Sequence, residues 1–171
     1  MRHHLFRRTA VAAALLGLVL TGAPALAAPG AAPAAGSTLT AAGTNTPVKV
    51  TLTVRGPDGV LFRGKIRTKG HDVTPATGGT QRCDGTNGGA HPSAVPTPTA
   101  ALDDAARKRG FAWDGTWYPS FEDYFVQSIK NVDAGATAYW NISVNGTSTP
   151  VGGCQFRIHA GDRVAFTWTA L

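Results

Sequence analysis

Past its first twenty residues, this chain of 171 residues has no hydrophobic run of spanning length. The uncharged apolar stretch "VAAALLGLVL" has ten residues, where a spanning helix needs about 20. A transmembrane helix is therefore not expected. No phosphate-cradling glycine loop is present, which argues against nucleotide chemistry. Ser120 and Ser128 have no nucleophile-elbow context, so serine hydrolase chemistry has no support. The ten Asp and Glu residues show no spacing that singles out an acid/base pair, as glycoside hydrolysis would need. Cysteine is nearly absent, with Cys83 and Cys154 only. No sorting signal follows "VAFTWTAL" at the end, so release is expected over covalent anchoring.

The two ends of the chain set the compartment. A basic start, "MRHHLFRRTA", precedes the ten-residue apolar run, and Ala25-Leu26-Ala27 fits an A-x-A cleavage site. This pattern predicts a signal peptide over 1–27 and a protein that is secreted, extracellular or cell-wall associated. Arg7-Arg8 leaves the route open between general secretion and twin-arginine export. Residues 28–46 are mainly Ala, Pro, Gly and Thr, with Ser37, Asn45, no charge and one large apolar residue, Leu39. They read as a flexible tether. Cleavage removes Arg2, Arg7 and Arg8, which leaves thirteen Lys and Arg against ten Asp and Glu. A net charge of +3 outside the cell does not call for a nucleic-acid partner. Residues 47–171 are enough for one domain with a core.

Within that domain Val48, Val50, Leu52 and Val54 alternate with Lys49, Thr51, Thr53 and Arg55, the period of a half-buried strand. "GPDG" supplies a turn, and a second strand runs through "VLFRGKIRTK", making a hairpin. On that strand Arg63, Lys65, Arg67 and Lys69 share one face at period two. Four like charges on one face keep it solvated; they also form a candidate strip for anionic polymers. Residues 70–98 read as a long loop, and a loop of that length inside a compact domain is normally functional or pinned. "TPTAALDDAARKRG" predicts a short helix, capped by Thr97 or Thr99 and stopped at Gly110.

The C-terminal third carries "FAWDGTWYPSFEDYFVQSIKNV", in which a strand is expected at about 124–130. "AYWNISVNGTSTPVGG" predicts a strand with Trp140, Ile142 and Val144 on one face and an Asn145-Gly146 type I′ turn. Phe156 and Ile158 alternate, Gly161-Asp162 turns with Asp162 bonding nearby backbone, and Val164, Phe166 and Trp168 alternate again. Strand, strand, helix and three or more strands give an α+β domain. The expected arrangement is β-grasp-like: a hairpin, one helix across a mixed or antiparallel sheet, and a return hairpin.

The helix "ALDDAA", the strand Tyr139-Trp140 through Val144-Asn145-Gly146, and Gly161-Asp162 before the closing aromatic strand occur in one order. This order resembles the C-terminal β-domain of transcobalamin and intrinsic factor, over roughly residues 48–171. The 70–98 loop and "WDGTWYPSFEDYF" resemble a secreted actinobacterial subgroup of that family whose function is unassigned. The resemblance implies a β-grasp-like domain and ligand binding, because the vertebrate carriers close this domain over cobalamin. Those carriers also have an α-barrel domain, which is not seen here, so the ligand stays open and no cofactor is expected. The motif residues Tyr139, Trp140, Asn145, Gly146, Gly161 and Asp162 are read as structural.

Three kinds of site remain to be weighed. A cysteine nucleophile would need His71, His91 or His159 as its base. An even pair of cysteines in a secreted protein instead predicts a Cys83–Cys154 disulfide that staples the long loop. His71, Asp72, Asp84, Asn87 and His91 all fall in that loop. Yet "DGTNGG" lacks the alternate carboxylates of a calcium loop and the histidines are scattered, so no metal is expected. The aromatic segment offers Trp113, Trp117, Tyr118 and Tyr124 as a stacking platform beside Asp84, Asn87 and His91. Phe111, Phe121 and Phe125 are assigned to the core. The expectation is a monomeric, non-catalytic module for a glycan, small molecule or wall polymer. A cell-envelope accessory using the basic strip is the alternative, and an enzyme using the loop residues the least favoured reading.

Overall fold

The computed structural model describes residues 45–171. The expected signal peptide at 1–27 and the tether at 28–46, apart from its last two residues, lie outside them. Asn45 already belongs to the folded unit: its Oδ1 accepts from Gly70 N–H at 2.7 Å and its Nδ2 donates to Gly70 C=O at 2.8 Å.

In chain order the elements are strands β1 (Val48–Gly56), β2 (Gly59–Thr68), β3 (His71–Val73) and β4 (Gln81–Cys83), helix α1 (Pro98–Arg109), and strands β5 (Trp113–Tyr118), β6 (Asp123–Ile129), β7 (Val132–Asp133), β8 (Ala138–Val144), β9 (Thr147–Ser148) and β10 (Arg163–Ala170). The main sheet has the order β2-β1-β10-β8-β9. β1 and β10 run parallel at its centre, with Leu52 beside Val164 and Val54 beside Phe166. Its other pairs are antiparallel. A second sheet, β5-β6-β7, and a two-stranded ladder, β3-β4, complete the fold. This is the expected α+β, β-grasp-like arrangement, with a mixed sheet and one α-helix among the described residues.

Local chemistry explains the elements. Thr97 Oγ1 accepts from Ala100 N–H at 3.4 Å and Pro98 follows it in the first turn. Arg107, Lys108 and Arg109 face the negative end of the helix dipole. Gly110 then takes the left-handed φ of 68° that returns its N–H to Ala106 C=O. The Ala100, Ala101, Leu102, Ala105 and Ala106 stripe is buried, and α1 packs on β1, β2, β3 and β5. The core also takes Val50, Leu52, Val54, Ile66, Ile129, Ile158, Val164 and Phe166, all at most 1% exposed. Each such side chain contributes roughly 1.5–3 kcal/mol relative to remaining in water. Asn145 and Gly146 carry φ of 54° and 88°, as a type I′ turn requires. Asn145 also receives Arg163 N–H and donates to Asp162 Oδ1, while Asp162 Oδ2 receives His159 N–H. The two turns are thus locked together.

Three expectations are corrected. Residues 70–98 are not one loop: His71–Val73 pairs with Gln81–Cys83, and Asn87–Gly89 forms a 3-10 turn. Strands of three residues are too short to show a period. Residues 155–159 form no strand, although Phe156 and Ile158 alternate. β10 is already paired on both sides, by β1 and β8, so no hairpin partner is left for it to need. Phe121 and Phe125 are not core, at 66% and 45% exposed. The β6 register turns Tyr124, Val126 and Ile129 inward instead.

Candidate functional site

Residues 119–122 turn between β5 and β6. Glu122 sits in this turn at φ 46°, a conformation that a non-glycine residue adopts only when its surroundings hold it. Its C=O accepts from Asn87 Nδ2 at 2.9 Å, and its carboxylate accepts Gly88 N–H at 2.8 Å. On the other flank Gln155 Nε2 donates to Phe121 C=O at 2.6 Å. The two anchoring segments, near residues 87 and 155, are joined covalently. Cys83 and Cys154 form a disulfide with Cα atoms 4.4 Å apart, and Gly85 N–H bonds Cys154 C=O at 2.9 Å. The expected staple is present, and among the described residues there is no free thiol.

The anchored turn projects aromatics into solvent. Tyr118, Phe121 and Phe125 rim an open cavity of about 590 Å³ whose opposite wall is Thr149, Pro150, Val151 and Gly152. The Tyr118 and Phe121 rings meet edge to face at 6.5 Å. Asp123, 6% exposed, lies at the base. Its carboxylate accepts Tyr124 N–H at 2.7 Å and Cys154 N–H at 3.0 Å. No Lys, Arg or His forms an ion pair with it among the described residues. Burial pushes its pKa up to about 6, against the pull of the Cys154 and Tyr124 N–H groups on the charged form. Only glycine fits at 152, since a Cβ there would overlap Asp123 Oδ2.

The residues expected to bind divide between this rim and its supports. Tyr118 is on the rim. Trp117 is half-buried, meets Tyr124 edge to face at 5.0 Å and lines a smaller hollow of about 310 Å³ with Gln81, Arg82, Asn87, Pro119 and Glu122. Trp113 and Tyr124 are enclosed, at 2% and 5% exposed, and pack edge to face at 5.3 Å. They are not part of an exposed platform. Tyr124 donates its hydroxyl to Gly79 C=O at 2.6 Å, and burial, with the charges of Asp103 and Asp114, raises its pKa to about 12. Asn87, 1% exposed, uses its amide on Arg82 C=O, Glu122 C=O and Asp84 N–H, so it supports the turn and is closed to a ligand. Asp84 caps Thr86 through its N–H and hydroxyl, and His91 is half-buried in the loop that follows. Asn87 Oδ1 thus joins Asp84, while no hydrogen bond links either residue to His91 among the described residues. No cluster of three or more His, Cys, Asp or Glu suited to a metal occurs among the described residues.

Sequence reasoning missed Phe121, Asp123, Phe125 and the 149–155 wall. The alternation in "DYFV" admits either inward phase, and nothing in it says that Tyr124 is the inward aromatic. The wall is a pairing across the chain that no local pattern reports. A polar network was missed as well. Asp103, 2% exposed, accepts Trp113 Nε1–H at 3.0 Å and Arg107 Nη2 at 3.0 Å, with His71 Nε2 at 3.3 Å. Burial opposes its charge, but the His71 and Trp113 hydrogen bonds and the Arg107 charge outweigh that and lower its pKa. Asp103→Ala strands the buried indole N–H, which should lower stability by about 2 kcal/mol. Chemical denaturation of the two proteins measures it, and a change within error would show that the indole finds another partner.

The basic residues are elsewhere. Arg63, Lys65 and Arg67 stand exposed on β2, and Lys69 follows just beyond the strand. Tyr139 is half-buried and Trp140 is buried, donating Nε1–H to Gln127 C=O at 3.2 Å. With Asn145, Gly146, Gly161 and Asp162 in their turns, the motif residues hold the sheet and do not face the cavity.

Comparison with known proteins gives a fold and little more. A domain of unknown function, DUF4430, matches residues 112–170. No curated protein matches the sequence. Among solved structures, haptocorrin in complex with Cbi is similar with a TM-score of 0.50 and 11% identity, over 74% of this chain and 26% of that one. The chain therefore spans about a quarter of the haptocorrin chain. The likeness shows a transcobalamin-like fold, and nothing in it concerns the actinobacterial subgroup.

Proposed function

We propose that the mature chain, released from residues 1–27 and carried on the 28–46 tether, is an exported, non-catalytic binding module. Its ligand site is the aromatic-rimmed cavity between the β5–β6 turn and residues 149–155. The observation that carries this reading is the exposure of Tyr118, Phe121 and Phe125 around one cavity, at the β5–β6 turn and its flanking strands, with the turn fastened from both sides. Large apolar side chains gathered at the surface mark binding sites. An apolar rim with a few polar groups at the base suits a small amphipathic molecule. The same groups support the non-catalytic reading. Both cysteines are oxidised, and among the described lining residues Asp123 is the sole carboxyl, with no histidine or lysine. The haptocorrin likeness is compatible with a binder and leaves the ligand open.

Thermal shift with corrinoids including Cbi, neutral oligosaccharides and amphipathic organic cations tests the proposal. A ligand at a hundred times its Kd adds about 2.7 kcal/mol of stability. The double variant Phe121→Ala/Phe125→Ala should abolish that shift. Its unliganded stability should stay within about 0.5 kcal/mol of the parent, because both side chains face solvent. No shift with any of the three classes, or a shift that survives the double variant, would overturn the assignment.

A further inference from the structure

The outer face of the main sheet collects basic side chains from three strands. β1 buries Val50, Leu52 and Val54, so Lys49, Thr51, Thr53 and Arg55 point the other way. β2 turns Arg63, Lys65 and Arg67 to the same side. The parallel pairing of β1 with β10 adds Arg163 from near the end of the chain. Register places these groups in rows. Lys49 lies beside Arg67, and Thr51 lies between Lys65 and Arg163. Thr53 lies between Arg63 and Ala165, and Arg55 closes the face near the hairpin. Rows on neighbouring strands are about 4.8 Å apart, and alternate residues about 6.8 Å along a strand.

All six cations are exposed, and none has an ion-pair partner among the described residues. The outward positions of β1, β2, β8 and β10 hold no Asp or Glu. Uncompensated like charge is unfavourable for the isolated domain. An arriving polyanion reverses its sign.

The face also says which polyanion. Its remaining outward groups are mainly Thr51, Thr53, Thr167, Thr169, Ser143 and Asn141. Val60 at the hairpin end is the one bulky aliphatic group among the described positions, too little for insertion into a bilayer interface. Tyr139 alone is aromatic there, which does not make a stacking platform for successive bases. A flat lattice of cations and hydroxyls suits a linear acidic polysaccharide, bound through carboxylate or sulfate groups with sugar hydroxyls on the threonines. We propose that this sheet face binds such a chain.

Titration of the mature protein with heparin and with polygalacturonate, at rising salt, tests this. Both should bind, and salt should weaken both. Lys65→Gln/Arg163→Gln removes one row and should lower affinity roughly tenfold. Arg163→Gln alone should account for part of the loss. Lys108→Gln/Arg109→Gln removes the same net charge from α1, on the opposite side of the sheet, and should change little. Phe121→Ala/Phe125→Ala should bind both polysaccharides normally, so failure of the cavity assignment and failure here are distinguishable. Lack of binding, equal loss from the two charge-removing pairs, or no effect of Arg163→Gln would overturn the proposal. So would equally tight binding of a mixed-sequence oligonucleotide or of anionic phosphatidylserine vesicles at matched charge concentration.

Discussion

Removing the Cys83–Cys154 bond, by Cys83→Ala/Cys154→Ala or by reduction, is expected to lower the stability of the domain by about 4 kcal/mol, the chain-entropy value for a loop of this length. The two cysteines are 71 residues apart in sequence. For a domain of this size the melting temperature should fall by roughly 15 °C. The loss should also have a location. β4 would keep its ladder to β3, but Asn87 and Gln155 would no longer be held on two covalently joined segments. These are the residues that grip the carbonyls of Glu122 and Phe121. Hydrogen exchange should therefore quicken most at Gly85, Val95 and the 119–122 turn. Gly85 and Val95 now bond Cys154 C=O and Asp84 C=O, respectively. A change in melting of only a degree or two, or faster exchange confined to other parts of the sheet, would show that packing alone holds the loop.

A second large effect is expected on pH. Asp123 has a higher pKa folded than unfolded, about 6 against 3.8. Folding therefore favours its protonated form. That stabilisation is complete below pH 3.8 and is lost as pH rises through about 6. A shift of about two units corresponds to about 3 kcal/mol by neutral pH. The window is nearly free of other groups with resolved shifts. Asp103 and Asp114 have lowered pKa values, so their contributions are lost only as pH falls below 3.8. Burial lowers His71, but its hydrogen bonds to Asp103 and to Lys69 C=O, together with the Asp104 charge, outweigh that and raise it, so its contribution is lost only above 6.5. Urea denaturation between pH 4 and pH 6 should show stability falling as pH rises. In Asp123→Asn, which cannot titrate there, the slope should flatten. A parent stability that is level or rising over this window would refute the assignment, as would an equal slope in the variant. Because Asp123 lies at the base of the cavity, a cationic ligand should bind more tightly above pH 6, where the carboxylate is charged.

Much of the fold was legible in the sequence because its signals are local. The alternation of Val48 to Val54, the Asn145-Gly146 turn, and the Thr97 to Gly110 helix with its caps each depend on a few neighbouring residues. Each is found where the period and the turn chemistry place it. The disulfide was legible for a different reason: two cysteines allow one intramolecular pairing. The candidate site was much less so. Trp113 and Phe125 are both large aromatics in strands, and which one faces inward depends on the phase of β5 and β6. The bulge between Asp114 and Gly115 shifts that phase. Asp84, Asn87 and His91 sit close in sequence like a constellation, but Asn87 turns inward, where its amide is spent on Glu122 C=O, Arg82 C=O and Asp84 N–H.

The amino-acid sequence by itself determined the α+β class, helix α1, the staple and the row of cations on β2, because charge, periodicity and turn preference act within a strand or a helix. Tertiary structure decided what those elements face. The parallel pairing of β1 and β10 carried Arg163 beside Thr51 and widened a strip into a sheet face. The approach of residues 149–155 to the β5–β6 turn made a cavity around Phe121 and Phe125. Both depend on contacts between segments far apart in the chain, whose closure is repaid only by the packing of the whole domain.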